Sequence, residues 1–173
     1  MSTSIPNMRV IRRDKYQEGS IPIYGYQEIT ESLINNNEAP LPVGVAVISK
    51  AKNSYKGVAL PEVGTTAEKI VGFTIIDQTH VIAKSAIEGW VENKACSIFK
   101  SGKIHLRAAK GAKEGENVHV YVSAGKFGQI AGGAADSADG ASTVELLGCK
   151  WQENVEVGQV GPVVVTNLTY KAS

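Results

Sequence analysis

The chain has 173 residues, of which 43% are hydrophobic and 20% charged, as expected of a globular protein with one sizeable core. Its formal net charge of +1 excludes a global electrostatic field for nucleic acid or an anionic membrane. Met1–Ser4 does not open a secretory signal, and no apolar run approaches the ~20 residues that span a bilayer. We therefore expect synthesis in a reducing cytoplasm.

Residues 1–17 predict an N-terminal arm. Their apolar spacing fits neither an amphipathic helix nor a regular strand, and their basic side chains include Arg9, Arg12 and Arg13. One interpretation is a solvated terminus. The other is an extended arm that orders on a neighbouring subunit, where these arginines pair with carboxylates.

The next third of the chain predicts short strands separated by Pro, Gly and Asn. Thr30–Asn37 has the composition of a short helical turn that the asparagines end. Val43–Ser49 and Lys69–Ile76 are rich in β-branched residues and predict two strands. His80–Ile87 fits a strand or a helix equally well.

The centre of the chain predicts a hairpin and a half-buried strand. Cys96–Lys100 and Lys103–Ala108 are β-like runs that meet at Ser101-Gly102, a two-residue turn signal. Farther on, Val118, Val120 and Val122 alternate with polar or aromatic residues, which is typical of a strand with one buried face.

The last third combines a long loop with two more strands. Ser123–Ser142 consists mainly of Gly, Ala, Ser and Asp and predicts a long, flexible Gly/Ala-rich loop. Thr143–Gln152 and Gly161–Thr169 are β runs. We therefore predict a mainly β fold, a β-barrel or jelly-roll-like sandwich, in which residues 18–173 form a single domain behind the extended arm.

Few residues suggest chemistry. Cys96 and Cys149 lack metal-ligand spacing and are expected to be reduced, buried thiols. His105 and His119 lie on predicted strands and would approach each other if those strands paired. A ligand-binding or enzymatic β-barrel would then use His105, His119 and Tyr121 at its mouth.

No catalytic, cofactor or metal site is predicted, because the nucleophile and phosphate-binding motifs are missing. Asp136 and Asp139 lie near Gly140, but the other ligands of a calcium loop are absent. Trp90 and Trp151 are candidates either for the core or for a partner interface.

The order of several short motifs resembles that of the cement or decoration proteins of tailed-bacteriophage capsids. The motifs, in chain order, are Leu41-Pro42-Val43-Gly44-Val45, Lys69-Ile70-Val71-Gly72-Phe73, Ser101-Gly102-Lys103-Ile104 and Ala112-Lys113-Glu114-Gly115-Glu116-Asn117-Val118, followed by the Gly/Ala loop. The chain departs from the pattern at Glu116-Asn117, where an Asp after the turn glycine is more typical. The arm matches no family motif.

The resemblance implies a non-enzymatic β protein of the virion that binds the outer surface of the head. Its partners would be the major capsid protein and further copies of itself, as a homodimer or homotrimer, with no nucleic acid, membrane or cofactor. Candidate contacts are Arg9, Arg12, Arg13, Trp90 and Trp151. A second reading, another virion component such as a tail or head-completion protein, remains open.

Overall fold

Strands make up most of the regular structure. The computed structural model describes residues 16–22, 28–76, 89–136 and 141–168. Its strands are β1 (Ile29–Asn35), β2 (Ala46–Ser49), β3 (Gly57–Ala59), β4 (Ile70–Thr74), β5 (Ala95–Arg107), β6 (Asn117–Tyr121), β7 (Ile130–Gly132), β8 (Thr143–Trp151) and β9 (Val160–Val165). The one helical element in these ranges is a 3-10 turn, Ala67–Lys69. The predicted mainly β fold is confirmed, and no helix in the described ranges has the length and apolarity to cross a membrane.

Five strands close into a barrel, which we call the barrel lobe. The order around it is β1–β3–β2–β4–β5, and the first half of β5 returns to pair with β1. β1 runs parallel to β3, with Ile34 opposite Gly57, whereas the other pairs are antiparallel. Closure leaves no free strand edge around such a ring.

The second lobe is an antiparallel sheet, which we call the sheet lobe. Its order is β5–β9–β8–β6–β7. The backbone N–H groups of Ala109 and Lys110, just after β5, donate to the carbonyl oxygens of Ile130 and Ala131 on β7, at 3.1 and 2.7 Å. These two bonds connect the opposite ends of the sheet.

A single strand, β5, belongs to both lobes. Ser101 is the last residue paired with the barrel, opposite Ile29, and Gly102 is the first paired with β9, opposite Val165. The hairpin predicted at Ser101-Gly102 is therefore wrong. Each half of β5 pairs with different strands. Gly102 lies where the two halves meet, and its φ of +117° is a backbone conformation that residues with a side chain rarely adopt.

Two hydrophobic clusters stabilise the lobes. The smaller cluster is Leu41, Val45, Val47, Val58, Trp90, Cys96 and Ile98. The larger one joins barrel residues such as Phe73 and Phe99 to Leu146, Cys149 and Trp151 of the sheet lobe. Both cysteines are free and buried, as predicted, and burial raises the thiol pKa to about 11 for Cys96 and about 12 for Cys149.

Two further local predictions are wrong. Thr30–Asn37 does not form a helical turn, because most of it is β1, paired with β5. Ser123–Ser142 is not one long loop, because it contains β7, whose Ile130 and Ala131 are buried against neighbouring strands. Residues 137–140 of that segment and 80–87 lie outside the described ranges.

Candidate partner-binding surfaces

The structure places both tryptophans inside the protein. Trp151 is fully buried in the larger cluster, and Trp90 is 6% exposed in the smaller one. The indole N–H of Trp90 donates to the carbonyl of Ile75 at 3.0 Å. Of the two roles left open by the sequence, burial favours the core role; a partner contact by either ring stays a prediction.

The base of the N-terminal arm is fixed to β5. Arg9, Arg12 and Arg13 lie outside the described residues, but Tyr16 stacks on His105 with ring centroids 4.3 Å apart. The Tyr16 hydroxyl donates to Glu153 at 3.3 Å. Glu18 pairs with Arg107 at 2.9 Å. Whatever the preceding residues do, they start from a defined position on the sheet lobe.

His105 is held in a structural hydrogen-bond chain. Its Nδ1 lies 2.8 Å from the Ser20 hydroxyl oxygen, and that hydroxyl also lies 2.6 Å from the Gln17 carbonyl, to which it donates. Because a hydroxyl has one hydrogen, Nδ1–H must be the donor to Ser20. This polarity is opposite to that of a histidine that activates a serine nucleophile. Burial lowers the pKa of His105, and the nearby Lys103 lowers it further, against an opposing effect of Glu153.

His119 lies apart from His105. Strands β9 and β8 separate β5, which carries His105, from β6, which carries His119. Burial lowers the pKa of His119 despite Glu145 and Glu116 nearby. The described ranges contain no group of three or more His, Cys, Asp or Glu side chains arranged to hold a metal ion. The direct pairing of these two strands, which was the condition for the histidines to approach each other, does not occur.

The buried carboxylate of Asp136 holds in place the segment that was predicted to be a long loop. Asp136 is 8% exposed and accepts a 2.5 Å hydrogen bond from the Tyr121 hydroxyl. The ammonium groups of Lys110 and Lys126 lie 3.8 and 3.9 Å from the same carboxylate oxygen. Burial and this carboxylate raise the pKa of Tyr121 to about 12. Sequence reasoning missed this cluster because Asp136 sits in a Gly/Ala-rich stretch without local periodicity.

An open cleft of about 440 Å³ lies at the seam between the lobes. Barrel-lobe residues such as Val43, Val45 and Leu60 line one side, and residues of the sheet-lobe segment such as Phe127 and Ile130 line the other. The Glu18–Arg107 ion pair contributes to its lining. The cleft thus adjoins the base of the arm.

The fold is a β fold in which the polar and titratable side chains described above hold segments in place. The chain belongs to the structural cement protein family of phages, because the family model described as "Structural cement protein (E217 gp24/Pam3 gp6)" matches residues 10–167. The resemblance inferred from the sequence motifs is confirmed.

A solved structure of a phage capsid chain has the same fold. A chain from the capsid of Myoviridae phage XM1 aligns over 94% of this chain and 97% of its own length, with a TM-score of 0.67 and 15% identity. The N base of head fiber gp8.5 of bacteriophage phi29 aligns over 85% and 99%, with 9% identity and a TM-score of 0.43, too low to establish a common fold. No curated protein matches the chain significantly. The family match thus identifies the chain as a structural protein of phages, and the XM1 structure shows its fold.

Proposed function

We propose that the protein binds the outer surface of a phage head and cements neighbouring major capsid subunits. In this role it acts by binding alone, without catalysis, cofactor, nucleic acid or membrane. The net charge of +1 supports a protein rather than a nucleic-acid partner. The protein would be made in the host cytoplasm and join the virion by binding.

The observation that carries the proposal is the continuity of β5. Its first half pairs with β1 and β4 and its second half with β9, so one strand fixes the barrel lobe relative to the sheet lobe. A clamp between two subunits needs two binding surfaces at a fixed separation. When both surfaces belong to one body, the second contact is intramolecular, and release is slowed. A standard interface of about 1,600 Å² at each site is then sufficient.

The N-terminal arm extends this function to further contacts. We propose that residues 1–17 reach a neighbouring subunit while residues 18–173 form the single β domain, and that Arg9, Arg12 and Arg13 pair with carboxylates there. The stack of Tyr16 on His105 supports this, because it gives the arm a fixed origin. Exchange of arms between copies would also produce a homodimer or homotrimer, which light scattering of the free protein measures.

Co-sedimentation with heads that lack the protein tests the proposal. Increasing amounts of purified protein are mixed with a fixed amount of heads, and bound protein is quantified against the major capsid protein. We expect saturation at a fixed ratio of high copy number. A metal assay of the free protein, run in parallel, is expected to find no stoichiometric metal.

Two outcomes would contradict the proposal. Saturation at a few copies per particle would indicate a tail or head-completion protein instead. An absence of saturable binding to heads would refute it too, and stoichiometric metal or ligand in the free protein would then indicate a ligand-binding barrel. Heads already occupied by the protein serve as the control for non-specific pelleting.

A further inference from the structure

One end of the barrel lobe carries a small preformed pocket. It has a volume of about 240 Å³ and is lined by Ile34, Asn36, Lys52, Asn53, Tyr55 and Asn93. This volume is below the roughly 300–1,000 Å³ of pockets for drug-sized ligands, so it suits one small ring. The Tyr55 residue is 69% exposed and is among the exposed large hydrophobic residues of the described ranges.

The backbone around the pocket is held in unusual conformations. Within the described ranges, the non-glycine residues with positive φ are Asn53 (50°), Ser54 (67°) and Asn93 (58°), and all three lie at this end of the barrel. Lys52 and Tyr55 exchange two backbone hydrogen bonds of 3.1 and 3.0 Å across Asn53-Ser54, which makes this a two-residue hairpin turn. Positive φ at both central residues is what such a turn requires, so the backbone beside the pocket has a defined conformation.

Two buried asparagines provide those contacts. Asn36, 3% exposed, donates from its side-chain amide to the Lys50 carbonyl at 2.6 Å and so fixes the hairpin. Asn35 is fully buried and donates to the Trp90 carbonyl at 2.9 Å, while its own carbonyl accepts from the N–H of Asn93 at 2.9 Å. The two loops that flank the pocket are thereby positioned before any ligand arrives, which lowers the entropic cost of binding.

The pocket is polar but has little net charge. The Lys52 ammonium lies 3.9 Å from the Glu92 carboxylate and donates to the Asn93 side-chain carbonyl at 3.3 Å. The Asn93 side-chain amide in turn donates to Glu92 at 3.0 Å, so both of its ends are already engaged. The pocket therefore offers an aromatic ring, the side-chain amide of Asn53 and a locally compensated cation. An amide presents donors and an acceptor side by side, which matches adjacent hydroxyl groups, and an exposed aromatic ring offers an apolar face for C–H groups. A phosphate-bearing ligand would need an uncompensated cation.

We propose that this end of the barrel is a binding site for a neutral saccharide, one ring of which stacks on Tyr55 while its adjacent hydroxyls bond to the side-chain amide of Asn53. This is a second interaction, separate from attachment to the head. A single ring in an open pocket of this size gives millimolar affinity, and several copies on one particle would strengthen binding to a repeating glycan.

Saturation-transfer NMR of the full free chain tests the proposal with glucose, galactose, mannose, N-acetylglucosamine and their short neutral oligosaccharides. We expect at least one of these to receive saturation, with binding weakened at least tenfold in Tyr55→Ala and retained in Tyr55→Phe. Asn53→Gly keeps the positive φ of 50° while removing the amide, so it should also lose binding and stay folded. Val63→Ala, at a residue that is 76% exposed and outside the pocket lining, is the matched control.

Either of two results would overturn the proposal. One is that no sugar of the panel gives a signal that depends on Tyr55. The other is that Tyr55→Ala leaves sugar signals unchanged but lowers occupancy of heads, which would make this end a docking surface for capsid protein. Because the NMR experiment uses free protein, it remains decisive whether or not the protein binds heads.

Discussion

The hydroxyl of Tyr121, at the end of β6, donates a 2.5 Å hydrogen bond to the buried carboxylate of Asp136, which follows β7. The bond fixes the end of the β6–β7 segment to the sheet lobe. Lys126 adds to it, because its ammonium lies 4.9 Å from the centre of the Tyr121 ring. This cluster therefore supplies side-chain contacts for residues 131–136, a stretch that contains no large apolar residue.

Replacement Tyr121→Phe removes this bond and its pH dependence. At pH 9 we expect the variant to lose about 1–2 kcal/mol of unfolding free energy. The pKa of Tyr121 is raised to about 12 in the folded protein, so between about pH 10 and 12 the unfolded chain loses the phenolic proton first. The wild type thus loses stability as pH rises through this window, and the difference in unfolding free energy between the wild type and Tyr121→Phe becomes smaller. Urea unfolding of both proteins at pH 9 and 11 measures this, and an unchanged difference would contradict it.

Gly102→Ala tests the junction in β5. At φ +117° a Cβ atom is strained more than in the left-handed region, and we expect a loss of about 1–3 kcal/mol. Gly115→Ala is the control, because Gly115 has φ +84° and no atom within 4 Å of an added Cβ. Chemical denaturation should find the Gly102 variant less stable than the Gly115 variant. Equal losses of unfolding free energy in the two variants would show that the backbone conformation of Gly102 does not specifically require glycine.

Mild acid should destabilise the protein through the buried His105 and the half-buried His119. The pKa values of His105 and His119 are both lowered by burial, so as pH falls below about 6.5 the unfolded chain binds protons before the folded protein does. Their contribution to the unfolding free energy is complete above that pH and decreases as pH falls toward their folded pKa values. His105→Gln and His119→Gln should each flatten the pH dependence between pH 7 and 5.5, measured by urea unfolding. A slope that neither variant changes would assign the effect to carboxylates.

Trp151→Ala distinguishes core from interface. Since the side chain is fully buried in the larger cluster, we expect a loss of about 3–5 kcal/mol in unfolding free energy. Protein that remains folded at low temperature should still saturate heads at the wild-type ratio. A variant with wild-type stability and reduced occupancy would instead place Trp151 at a partner interface.

Deletion of residues 1–15 tests the arm without disturbing its base. Tyr16 and its stack on His105 remain, so we expect a nearly unchanged thermal midpoint and weaker binding to heads. Charge reversal of Arg9, Arg12 and Arg13 to Glu in the full chain should weaken binding in the same direction. Wild-type occupancy of the deleted protein would refute the arm hypothesis.

Local sequence patterns predicted most of the strands. Strand partners and the burial of polar residues depend on contacts between residues distant in sequence, and the sequence did not predict them. Alternation at Val118 and Val120 identified β6 correctly, because burial of one face is recorded in adjacent residues. Ser101-Gly102 has the same composition in a turn and in a strand, and only the partners of each half of β5 distinguish them. Asn35 and Asn36 have the composition of a loop, yet both are buried. Their side-chain amides donate to the carbonyls of Trp90 and Lys50, in loops that are distant in sequence.

The shared strand β5 also determines how the molecule carries mechanical load. If the two lobes are attached to different points of an expanding shell, part of the tension between them acts along the backbone of β5. From Gly102 to Arg107 that backbone is paired with β9, and antiparallel hydrogen bonds stand perpendicular to the strands. A pull along the strand therefore loads these bonds together in shear instead of opening them one after another.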